Sequence, residues 1–383
     1  DDEIELGNKI IAEHTDGEFG CLLISDRYDY SMDKLIEGAI DSNLNDCITN
    51  SLFINGPWVE QLEQLLEARF SASVAGVGSG TAAQQLSLLA LGIGPGDEVL
   101  VPSITFFSTA ETVSQVGATP VFVDCERDYY CIDTQDLEAK ITSRTRAVMP
   151  VDLYGQQADM ETIRNICNKY NLFLIQDSAQ SFGSLYKDKP VGYYADLAIH
   201  SFYPAKNFDC MGDAGAVSGS KKLIQRVKKL RDHGRTEKYI HTEIGWNHRL
   251  DGIQASVLCA KHNRVDEWNN NRRTNALYYN TKLAGLTLQL PKEAEYNIHV
   301  YNQYVIMTKN RQNLFNFLAE KGVQAGIQFP LGCHQQPAYQ KSFALPTTEC
   351  GADNCLSLPV WPLMKSKELA YVVSCLEEYF LSK

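Results

Sequence analysis

The chain has 383 residues, of which 44% are hydrophobic and 21% charged, the composition of a globular protein large enough for two domains. Its net charge of −12 argues against nucleic-acid binding through a broad basic face, although local donors can still bind a small anion. No apolar run reaches the roughly 20 residues of a membrane span, and the acidic first residues do not resemble a signal peptide. The 11 cysteines lack metal-type spacing, so we expect reduced thiols, no metal site and a cytoplasmic location.

The first 56 residues contain no motif that predicts chemistry, and only the stretch after Tyr28 indicates a helix. Asn55-Gly-Pro57 marks a turn, and Pro57 is suited to the first turn of a helix. Apolar side chains then recur at helical spacing at Trp58, Leu62, Leu65, Leu66 and Phe70. We therefore treat residues 1–56 as an N-terminal segment and begin the first domain at residue 57.

From Ser73 onward, short β-branched runs alternate with amphipathic helical stretches. This alternation predicts an α/β domain with a mostly parallel sheet that helices cover on both faces. The predicted strands are 74–77, 98–102, 120–124, 146–152, 172–177, 197–202 and 215–218. The predicted helices are 82–91, 106–116, 134–141 with Asp133 as its cap, 159–170 and 222–232.

The pattern changes after residue 250. A long helical periodicity runs from Leu250 toward Leu283, and a mixture of strands and helices follows Gly285. The predicted strands there are 286–290, 299–307 and 323–329, and the predicted helices are 314–318 and 368–380. We expect a large domain over residues 57–250, and a long connecting helix with a small α+β domain over residues 251–383.

Lys206 is the first candidate for chemistry. It follows the apolar strand 197–202 within Ser-Phe-Tyr-Pro-Ala-Lys, and the nearest charged residue in sequence is Asp209. A lysine held among aromatic and small residues is poorly solvated, which lowers its pKa and favours the nucleophilic amine needed for a Schiff base. From this stretch alone, a solvated surface lysine in a loop is the commoner interpretation.

Other polar or aromatic residues follow the strands that precede Lys206. Gly78-Ser79-Gly80-Thr81 can receive a phosphate at a helix N-terminus, but it matches neither a P-loop nor the dinucleotide fingerprint. Phe106 and Phe107 follow the next strand, where one of them could stack on a flat ring or pack in the core. Asp177 closes an apolar strand, where a buried carboxylate needs a cation or a donor, and Gln180 lies three residues later.

Ligands of open α/β sheets bind beyond the carboxyl ends of the strands, so we expect these residues to lie together. A phosphate cradle, a stacking aromatic ring, a carboxylate for a pyridinium nitrogen and a nucleophilic lysine form the set that pyridoxal 5'-phosphate requires. The sequence therefore predicts a pyridoxal phosphate site, with Lys206 and Asp177 as its catalytic residues.

A family resemblance carries the prediction further. From about Phe53 to Tyr339 the chain resembles the DegT/DnrJ/EryC1/StrS family of sugar aminotransferases, which have the aspartate-aminotransferase (fold type I) architecture. The matching stretches are Ser79-Gly-Thr-Ala-Ala, 91–99, Pro102-Ser-Ile-Thr-Phe, 117–124, Leu153-Tyr-Gly, Asp177-Ser-Ala-Gln-Ser-Phe-Gly, 201–207, Gly212-Asp-Ala-Gly-Ala, Leu230-Arg-Asp-His-Gly and Asn247-His-Arg-Leu-Asp.

The resemblance implies a role for each candidate residue. Lys206 would form the Schiff base, Asp177 would contact the pyridine nitrogen, Phe106 the ring face and Gln180 the ring hydroxyl. Ser79, Gly80, Thr81 and Ser201 would hold the phosphate, which Asn247 of the neighbouring subunit would also reach, so the active unit would be a homodimer with shared sites. The stretch from His334 to Tyr339 matches a loop on the substrate side.

The chain departs from the family pattern at several points. Asp152 stands where the family usually has a histidine, and Asn207-Phe-Asp209 replaces the common Asn-Leu-Gly. Because of these changes, the resemblance does not predict the local charge near the substrate. We expect His200 and His248 to be packed or hydrogen-bonded rather than catalytic, and Arg249 and Asp251 could form a structural ion pair.

We therefore expect an aminotransferase that moves an amino group, with glutamate as donor, to a keto-sugar. The form of the Lys206 and Gly212 motifs resembles family members that act at the sugar C3, and a nucleotide-linked sugar is favoured over a free one. Two alternatives stay open, a pyridoxamine-phosphate-dependent dehydratase of the same family and a non-catalytic regulatory protein. Lys206 argues against the first, and the intact site argues against the second.

Overall fold

The computed structural model describes residues 30–340 and 342–381. A seven-stranded sheet forms its centre, with the order β1-β9-β8-β5-β4-β2-β3. Only β9 runs antiparallel to its neighbours, and the other six strands run in one direction. The strands are β1 Ser73–Val77, β2 Glu98–Pro102, β3 Thr119–Val123, β4 Thr145–Val148, β5 Phe173–Asp177, β8 Leu197–Ser201 and β9 Gly215–Gly219, while two-residue strands β6 Leu185–Tyr186 and β7 Lys189–Pro190 lie outside this sheet.

Helices cover both faces of the sheet, as the alternating pattern predicts. Every residue of β2 and β8 is buried, which explains why these strands read as continuous apolar runs rather than as alternating ones. The helices of this part are α1 Tyr30–Lys34, α2 Glu37–Thr49, α3 Pro57–Phe70, α4 Gly80–Ala90, α5 Ser108–Gln115, α6 Thr134–Ala139, α7 Met160–Tyr170 and α8 Lys221–Leu230.

Local sequence signals set several helix ends. Pro57 occupies the first turn of α3, where its missing N–H is not needed. Asp133 caps α6 by accepting hydrogen bonds from the backbone N–H groups of Gln135 and Asp136, at 2.7 and 3.2 Å. The predicted cap at Asp133 is confirmed.

The long helix predicted from residue 250 is divided in the structure. It consists of α9 Gly252–Lys261, a 3₁₀ turn at His262–Arg264 and α10 Val265–Leu283. A short hairpin of β10 Arg235–Glu237 and β11 Ile240–His241 precedes it. Val265 packs in a core beneath the large sheet, whereas Leu283 packs in a second core, so α10 connects the two.

The second core belongs to a smaller α+β unit. Its two-stranded sheet pairs β13 Tyr304–Met307 with β14 Cys355–Leu358, and β12 Asn297–Ile298 pairs with β6 of the large unit. Its helices are α11 Arg311–Glu320, α12 Pro346–Asn354 and α13 Ser366–Leu381. None of the helices in the described residues is both long and apolar enough to cross a membrane.

Two strand predictions in this unit are wrong. The segments 286–290 and 323–329 form isolated bridges instead of strands, among them Gln289 to Met307 and Gly326 to Ser357. Their alternating apolar side chains pack against the second core, but the backbones do not pair as strands. An extended segment can bury one face in this way without joining a sheet. The sequence interpretation missed β14, whose Cys-Leu-Ser-Leu sequence is short and directly follows a helix. The domain limits at residues 57 and 251 stay a prediction.

Candidate active site

A cavity of about 530 Å³ opens at the carboxyl ends of the parallel strands, the place where ligands of such sheets bind. It contains most of the residues predicted for the site, and the small unit supplies one wall. The side chains that line it belong to Ser79, Gly80, Thr81, Gln84, Thr105, Phe106, Ser108, Val151, Asp177, Ala179, Gln180, Ser201, Tyr203, Ala205, Lys206, Asp213, Asn302, Gln303, Gln328 and Phe329.

The start of α4 forms one end of the cavity. Ser79 caps this helix, and its Oγ accepts a hydrogen bond from the backbone N–H of Ala82 at 3.0 Å. A Cβ at Gly80 would lie 2.8 Å from the Cβ of Ser201, and one at Gly215 would lie 2.6 Å from the backbone of Ser79. These two glycines let β8, β9 and the helix start converge, which leaves amide and hydroxyl donors facing an anion-sized space.

Asp177 lies at the end of β5 and is 2% exposed. Its Oδ2 accepts hydrogen bonds from Gln84 Nε2 at 2.7 Å and from Thr109 Oγ1 at 3.5 Å, and its Oδ1 accepts one from the Ala179 N–H at 3.1 Å. Burial raises the pKa of Asp177, while these donors and the nearby charge of Lys206 oppose the rise. The carboxylate is therefore held in a fixed position, where it can pair with a cationic group of a ligand.

Lys206 extends from the loop after β8, and among the described residues that line the cavity it alone carries a positive charge. The residues that follow it are firmly anchored. Asn207 Nδ2 donates to Asn269 Oδ1 at 2.7 Å and to the carbonyl of Val300 at 2.9 Å. Phe208 is buried among aromatic side chains, so the backbone that carries Lys206 is fixed on its C-terminal side.

The structure distinguishes the two candidate aromatic residues. Phe106 lines the cavity and is 64% exposed, so it does not pack in the core. Phe107 packs against the main core and lies 5.6 Å from Tyr339, ring centroid to ring centroid. Phe106 is therefore the ring that can contact a ligand, as the resemblance implies.

Gln180 lines the same cavity, and its orientation is fixed. Its Oε1 accepts a hydrogen bond from the backbone N–H of Tyr154 at 2.7 Å. Tyr154 has φ 61°, a backbone conformation that residues other than glycine seldom adopt. With the oxygen occupied by the Tyr154 amide, the Nε2 of Gln180 stays available as a donor.

Three predicted residues do not line the cavity in this chain. Asn247 is exposed and bridges to Asp232. His334 is buried, with its Nδ1 2.7 Å from Ser103 Oγ and its Nε2 3.2 Å from Glu349 Oε1. Tyr339 packs beside Phe107 and makes a 2.8 Å hydrogen bond to Ser114. The substrate role of His334 and Tyr339 and the cofactor role of Asn247 stay predictions.

His200 and His248 are held by neighbours, as expected. His200 is buried, lies between Ser178 and Ser218, and stacks on Phe70. Burial lowers the pKa of His200 to about 3, so it is neutral at physiological pH. His248 Nε2 lies 2.9 Å from Gln85 Oε1.

The suggested ion pair between Arg249 and Asp251 is wrong. Arg249 instead pairs with Asp232 at 2.6 Å, because the bridge between Asp232 and Asn247 brings that carboxylate beside it. Asp251 lies at the start of α9 and bridges to Ile54.

Asp152 and Asp209 are also not groups of the cavity. Asp152 is fully buried, and its Oδ2 accepts hydrogen bonds from Gln176 Nε2 at 2.8 Å and from Ser181 Oγ at 2.7 Å. Asp209 is fully buried too and lies 3.2 Å from Lys261 Nζ. Neither carboxylate lines the cavity, so these departures do not place a charge on its surface.

Several cavity residues escaped the sequence interpretation. Gln84 holds Asp177, and it lies four residues after Gly80 on α4, so helical spacing offered a signal for it. Asn302, Gln303, Gln328 and Phe329 come from loops of the small unit, for which no local pattern indicated a site. No cluster of His, Cys, Asp or Glu suited to a metal occurs within residues 30–340 and 342–381.

The residues present fit pyridoxal phosphate. The glycine-lined start of α4 suits a phosphate, and Phe106 offers an exposed ring face. The hydrogen bonds to the buried carboxylate of Asp177 come from the neutral donors Gln84, Thr109 and the Ala179 N–H, while Lys206 is a nearby positive charge. A buried carboxylate in such surroundings gains most from a cation, which a protonated pyridine nitrogen supplies. Lys206 lies in the same cavity as all three.

Comparisons with known proteins show the family of the chain. A model described as the DegT/DnrJ/EryC1/StrS aminotransferase family matches residues 34–377. A pleiotropic regulatory protein of Geobacillus stearothermophilus is 38% identical, over 88% of this chain and 93% of the relative. A UDP-N-acetyl-3-dehydro-alpha-D-glucosamine 3-aminotransferase of Acidithiobacillus ferrooxidans is 38% identical, over 87% and 91%. A dTDP-3-amino-3,4,6-trideoxy-alpha-D-glucose transaminase of Streptomyces venezuelae is 37% identical, over 88% and 91%.

Solved structures show the same fold. DesV of S. venezuelae superposes with a TM-score of 0.89 at 35% identity, over 92% of this chain and 98% of DesV. NtdA of Bacillus subtilis with bound PMP gives a TM-score of 0.84 at 32% identity, over 89% and 81%. The predictions of a fold type I α/β architecture, of an aminotransferase and of pyridoxal phosphate as its cofactor are confirmed.

Proposed function

Because the chain belongs to the DegT/DnrJ/EryC1/StrS aminotransferase family, we propose that it transfers an amino group from glutamate to the C3 carbon of a nucleotide-linked keto-sugar. One observation carries the proposal most directly. Lys206 and Asp177 lie in a single cavity, beside the start of α4 and the exposed ring of Phe106. A nucleophile, an acid, an anion cradle and a stacking surface together serve pyridoxal-dependent amino transfer.

In the proposed reaction, pyridoxal phosphate supplies an electron sink for the carbon that gains or loses a proton. Lys206 would hold the cofactor, and its Nζ would move a proton to and from the substrate carbon. Asp177, fixed by Gln84 and Thr109, would keep the ring nitrogen protonated. Phe106 would cover the ring face, and Gln180 would donate to the ring hydroxyl.

The amides and hydroxyls at Ser79, Gly80 and Thr81 and the hydroxyl of Ser201 bind the phosphate in this proposal. The close approach of Gly80 to Ser201 supports it, because it brings the start of α4 beside the Ser201 hydroxyl. His334 and Tyr339 are proposed to act on the substrate side. Both pack beside residues 103–114, which carry Phe106.

The names of relatives support the substrate class. They include a UDP-N-acetyl-3-dehydro-alpha-D-glucosamine 3-aminotransferase and a dTDP-3-amino-3,6-dideoxy-alpha-D-galactopyranose transaminase, both 38% identical to this chain. Enzymes named for amino transfer at C3 thus agree with the C3 preference that the Lys206 and Gly212 motifs indicate. GDP-perosamine synthases are more distant, at 31% and 29% identity.

A homodimer with shared sites completes the proposal. Asn247 is exposed in the single chain, and apolar side chains near it are exposed as well. Ile54 is 55% exposed and bridges to Asp251, while Ile244 is 86% exposed. Large apolar side chains on the surface beside a polar residue suit an interface between subunits, from which Asn247 reaches the partner's phosphate.

We further propose a cytoplasmic protein with the predicted division at residues 57 and 251. Ten cysteines of the described residues are free, most of them buried, which suits a reducing compartment. Separate cores beneath the large sheet and around β13 and β14 support the division into a large and a small domain.

The test has two parts. Borohydride reduction of the protein loaded with pyridoxal phosphate, followed by peptide mapping, should place the pyridoxyl mass on Lys206. Incubation with glutamate and a panel of keto-sugars, free and nucleotide-linked, should give an amino sugar identified by mass. Attachment at another lysine would contradict the site, and a product from no sugar would contradict the substrate class.

The same experiment separates the alternatives. A regulatory protein, the function named for one relative, would show no conversion of the bound cofactor by glutamate. A dehydratase would release water from the sugar without transferring nitrogen. Glutamate-dependent conversion followed by transfer to a sugar supports the aminotransferase alone.

A further inference from the structure

One wall of the cavity contains a polar side chain that takes part in none of the proposed cofactor contacts. The small unit contributes Asn302, Gln303, Gln328 and Phe329 to the cavity, all of them uncharged. Gln303 is 6% exposed, and its Oε1 is buried with no hydrogen-bond partner among the described residues. A buried amide without a partner is costly, so such a group in a binding cavity marks a ligand contact.

The neighbouring amide shows the contrast. Asn302 Nδ2 donates to the carbonyl of Ala205 at 3.2 Å and to Asn207 Oδ1 at 2.8 Å, on either side of Lys206. Asn302 is thereby engaged in holding the loop of the lysine. Gln303, the next residue, donates its backbone N–H to Tyr154, and within the described residues its side-chain Oε1 accepts no hydrogen bond, which leaves it for a ligand.

The backbone around Gln303 is rigidly placed. Its N–H donates to the carbonyl of Tyr154 at 3.2 Å, and the N–H of Tyr154 holds Gln180 at 2.7 Å. Tyr301 has φ 43°, and a Cβ at Gly155 would lie 2.8 Å from the backbone nitrogens of Tyr301 and Asn302. This close packing fixes the position of Gln303 relative to Gln180, so the amide is preorganised.

We propose that the side-chain amide of Gln303 binds a hydroxyl group of the acceptor sugar and so contributes to sugar specificity. The inference rests on the proposed function. A carboxamide both donates and accepts a hydrogen bond, as does a hydroxyl, and a sugar offers several hydroxyls. The carboxylates of glutamate are better matched by charged donors, and this wall has none.

The two halves of the reaction make the test specific. The variants are Gln303→Leu, which removes the polar amide, and Gln303→Glu, which retains a hydrogen-bonding group of the same shape. Gln312→Leu is the matched control, since Gln312 is an exposed glutamine on α11. The glutamate half is followed by the absorbance of the bound cofactor, and the sugar half by the same signal with amino sugars as donors.

The amino-sugar probes are 3-amino-3-deoxyglucose, its UDP- and dTDP-linked forms, and analogues that each lack one hydroxyl. We expect Gln303→Leu to keep the glutamate half-reaction within about twofold and to lower kcat/KM for the sugar about tenfold or more, the effect of one lost hydrogen bond in a buried site. Gln303→Glu should retain more of the sugar reaction. One analogue should react equally with wild type and Gln303→Leu, and it identifies the hydroxyl.

Each outcome decides the proposal. A loss confined to the sugar half supports it. Equal losses in both halves, or a loss confined to the glutamate half, would overturn it, the latter by assigning Gln303 to the donor carboxylate. An unchanged sugar reaction in Gln303→Leu would overturn it as well. If the wild type converts glutamate but reacts with no sugar of the panel, the proposed function fails and this inference with it.

Discussion

Asp177 is the residue whose surroundings most directly test the proposed chemistry. In Asp177→Asn the side chain keeps its size, so the fold should persist, but a neutral amide cannot keep the ring nitrogen protonated. We expect amino transfer to fall by roughly a hundredfold or more. The half-reaction with glutamate, followed by absorbance, measures the effect.

The matched control for that change is Asp188→Asn. Asp188 lies exposed in a turn with φ 60°, a conformation that asparagine tolerates, and it does not line the cavity. Asp188→Asn therefore removes the same charge outside the site. Its activity should equal that of the wild type. Near-normal turnover in Asp177→Asn would assign the acid another role.

Asp152 predicts a pH-dependent stability. Burial raises the pKa of Asp152 to about 7, against the opposing effect of donors such as Ser181 and Gln176. Well below pH 4 the carboxyl is protonated in both folded and unfolded chains, and as the pH rises from there toward 7 only the unfolded chain releases the proton. Its contribution to the free energy of unfolding should therefore fall by about 3 kcal/mol from pH 5 to pH 8.

Asp152→Asn provides the measurement. The variant lacks the ionisation, so the stability of the wild type relative to the variant should decline as the pH rises from 5 to 8 in denaturant unfolding. Asp353→Asn, at an exposed position on α12, should show no such trend. A constant difference between wild type and Asp152→Asn across this range would show that the carboxyl has an ordinary pKa.

At the scale of elements, the convergence of β9 and α4 depends on glycine. A Cβ at Gly215 would lie 2.6 Å from the carbonyl carbon of Ser79 and 2.8 Å from the nitrogen of Gly80. Gly215→Ala should push the helix start away from the sheet, at a cost of about 1–3 kcal/mol in unfolding free energy. Because the displaced amides are the proposed phosphate donors, cofactor affinity should fall at least about tenfold.

Gly38→Ala is the control, since nothing lies within 4 Å of a Cβ there and the residue is in α2. It should leave cofactor affinity unchanged and stabilise the helix slightly. Titration of pyridoxal phosphate and thermal unfolding check both variants. Unaltered affinity in Gly215→Ala would separate the helix start from the phosphate.

For the whole molecule, the sequence predicted what lies at strand ends and missed what comes from loops. Lys206 and Asp177 each follow an apolar strand, so sheet topology alone brings them together. Gln303 enters the cavity through the packing of a second core against the first, a long-range contact that no local periodicity encodes. Gln84 could have been predicted from the sequence, because it lies one helical turn after Gly80.

The departures at Asp152 and Asp209 show a second limit. A charged residue beside a motif of the family suggests an altered binding surface. Both side chains are instead buried, Asp152 in hydrogen bonds and Asp209 in an ion pair with Lys261, and neither lines the cavity. Whether a side chain faces the ligand or the interior depends on the pleat and on the packing of neighbouring elements. Sequence position alone did not distinguish the two.

The position of Asn247 predicts an active site that two subunits share. If Asn247 reaches the phosphate of the partner's site, each site needs residues from two chains, because Asn247 does not line the cavity of its own chain. Lys206→Ala removes the nucleophile of one site, and Asn247→Asp places a negative charge against the phosphate of the other. Each variant alone should be inactive. Mixed dimers hold one site with both defects and one with neither.

Subunit exchange at equal concentrations should therefore restore about a quarter of the wild-type activity, since half of the dimers are mixed and each has one intact site. Asn168→Asp, an equivalent change at an exposed position on α7, should be active by itself. Mass measurement of the native complexes establishes that exchange has occurred. No recovery after proven exchange, or full activity in a monomer, would refute the shared site and leave Asn247 as a surface residue beside Asp232.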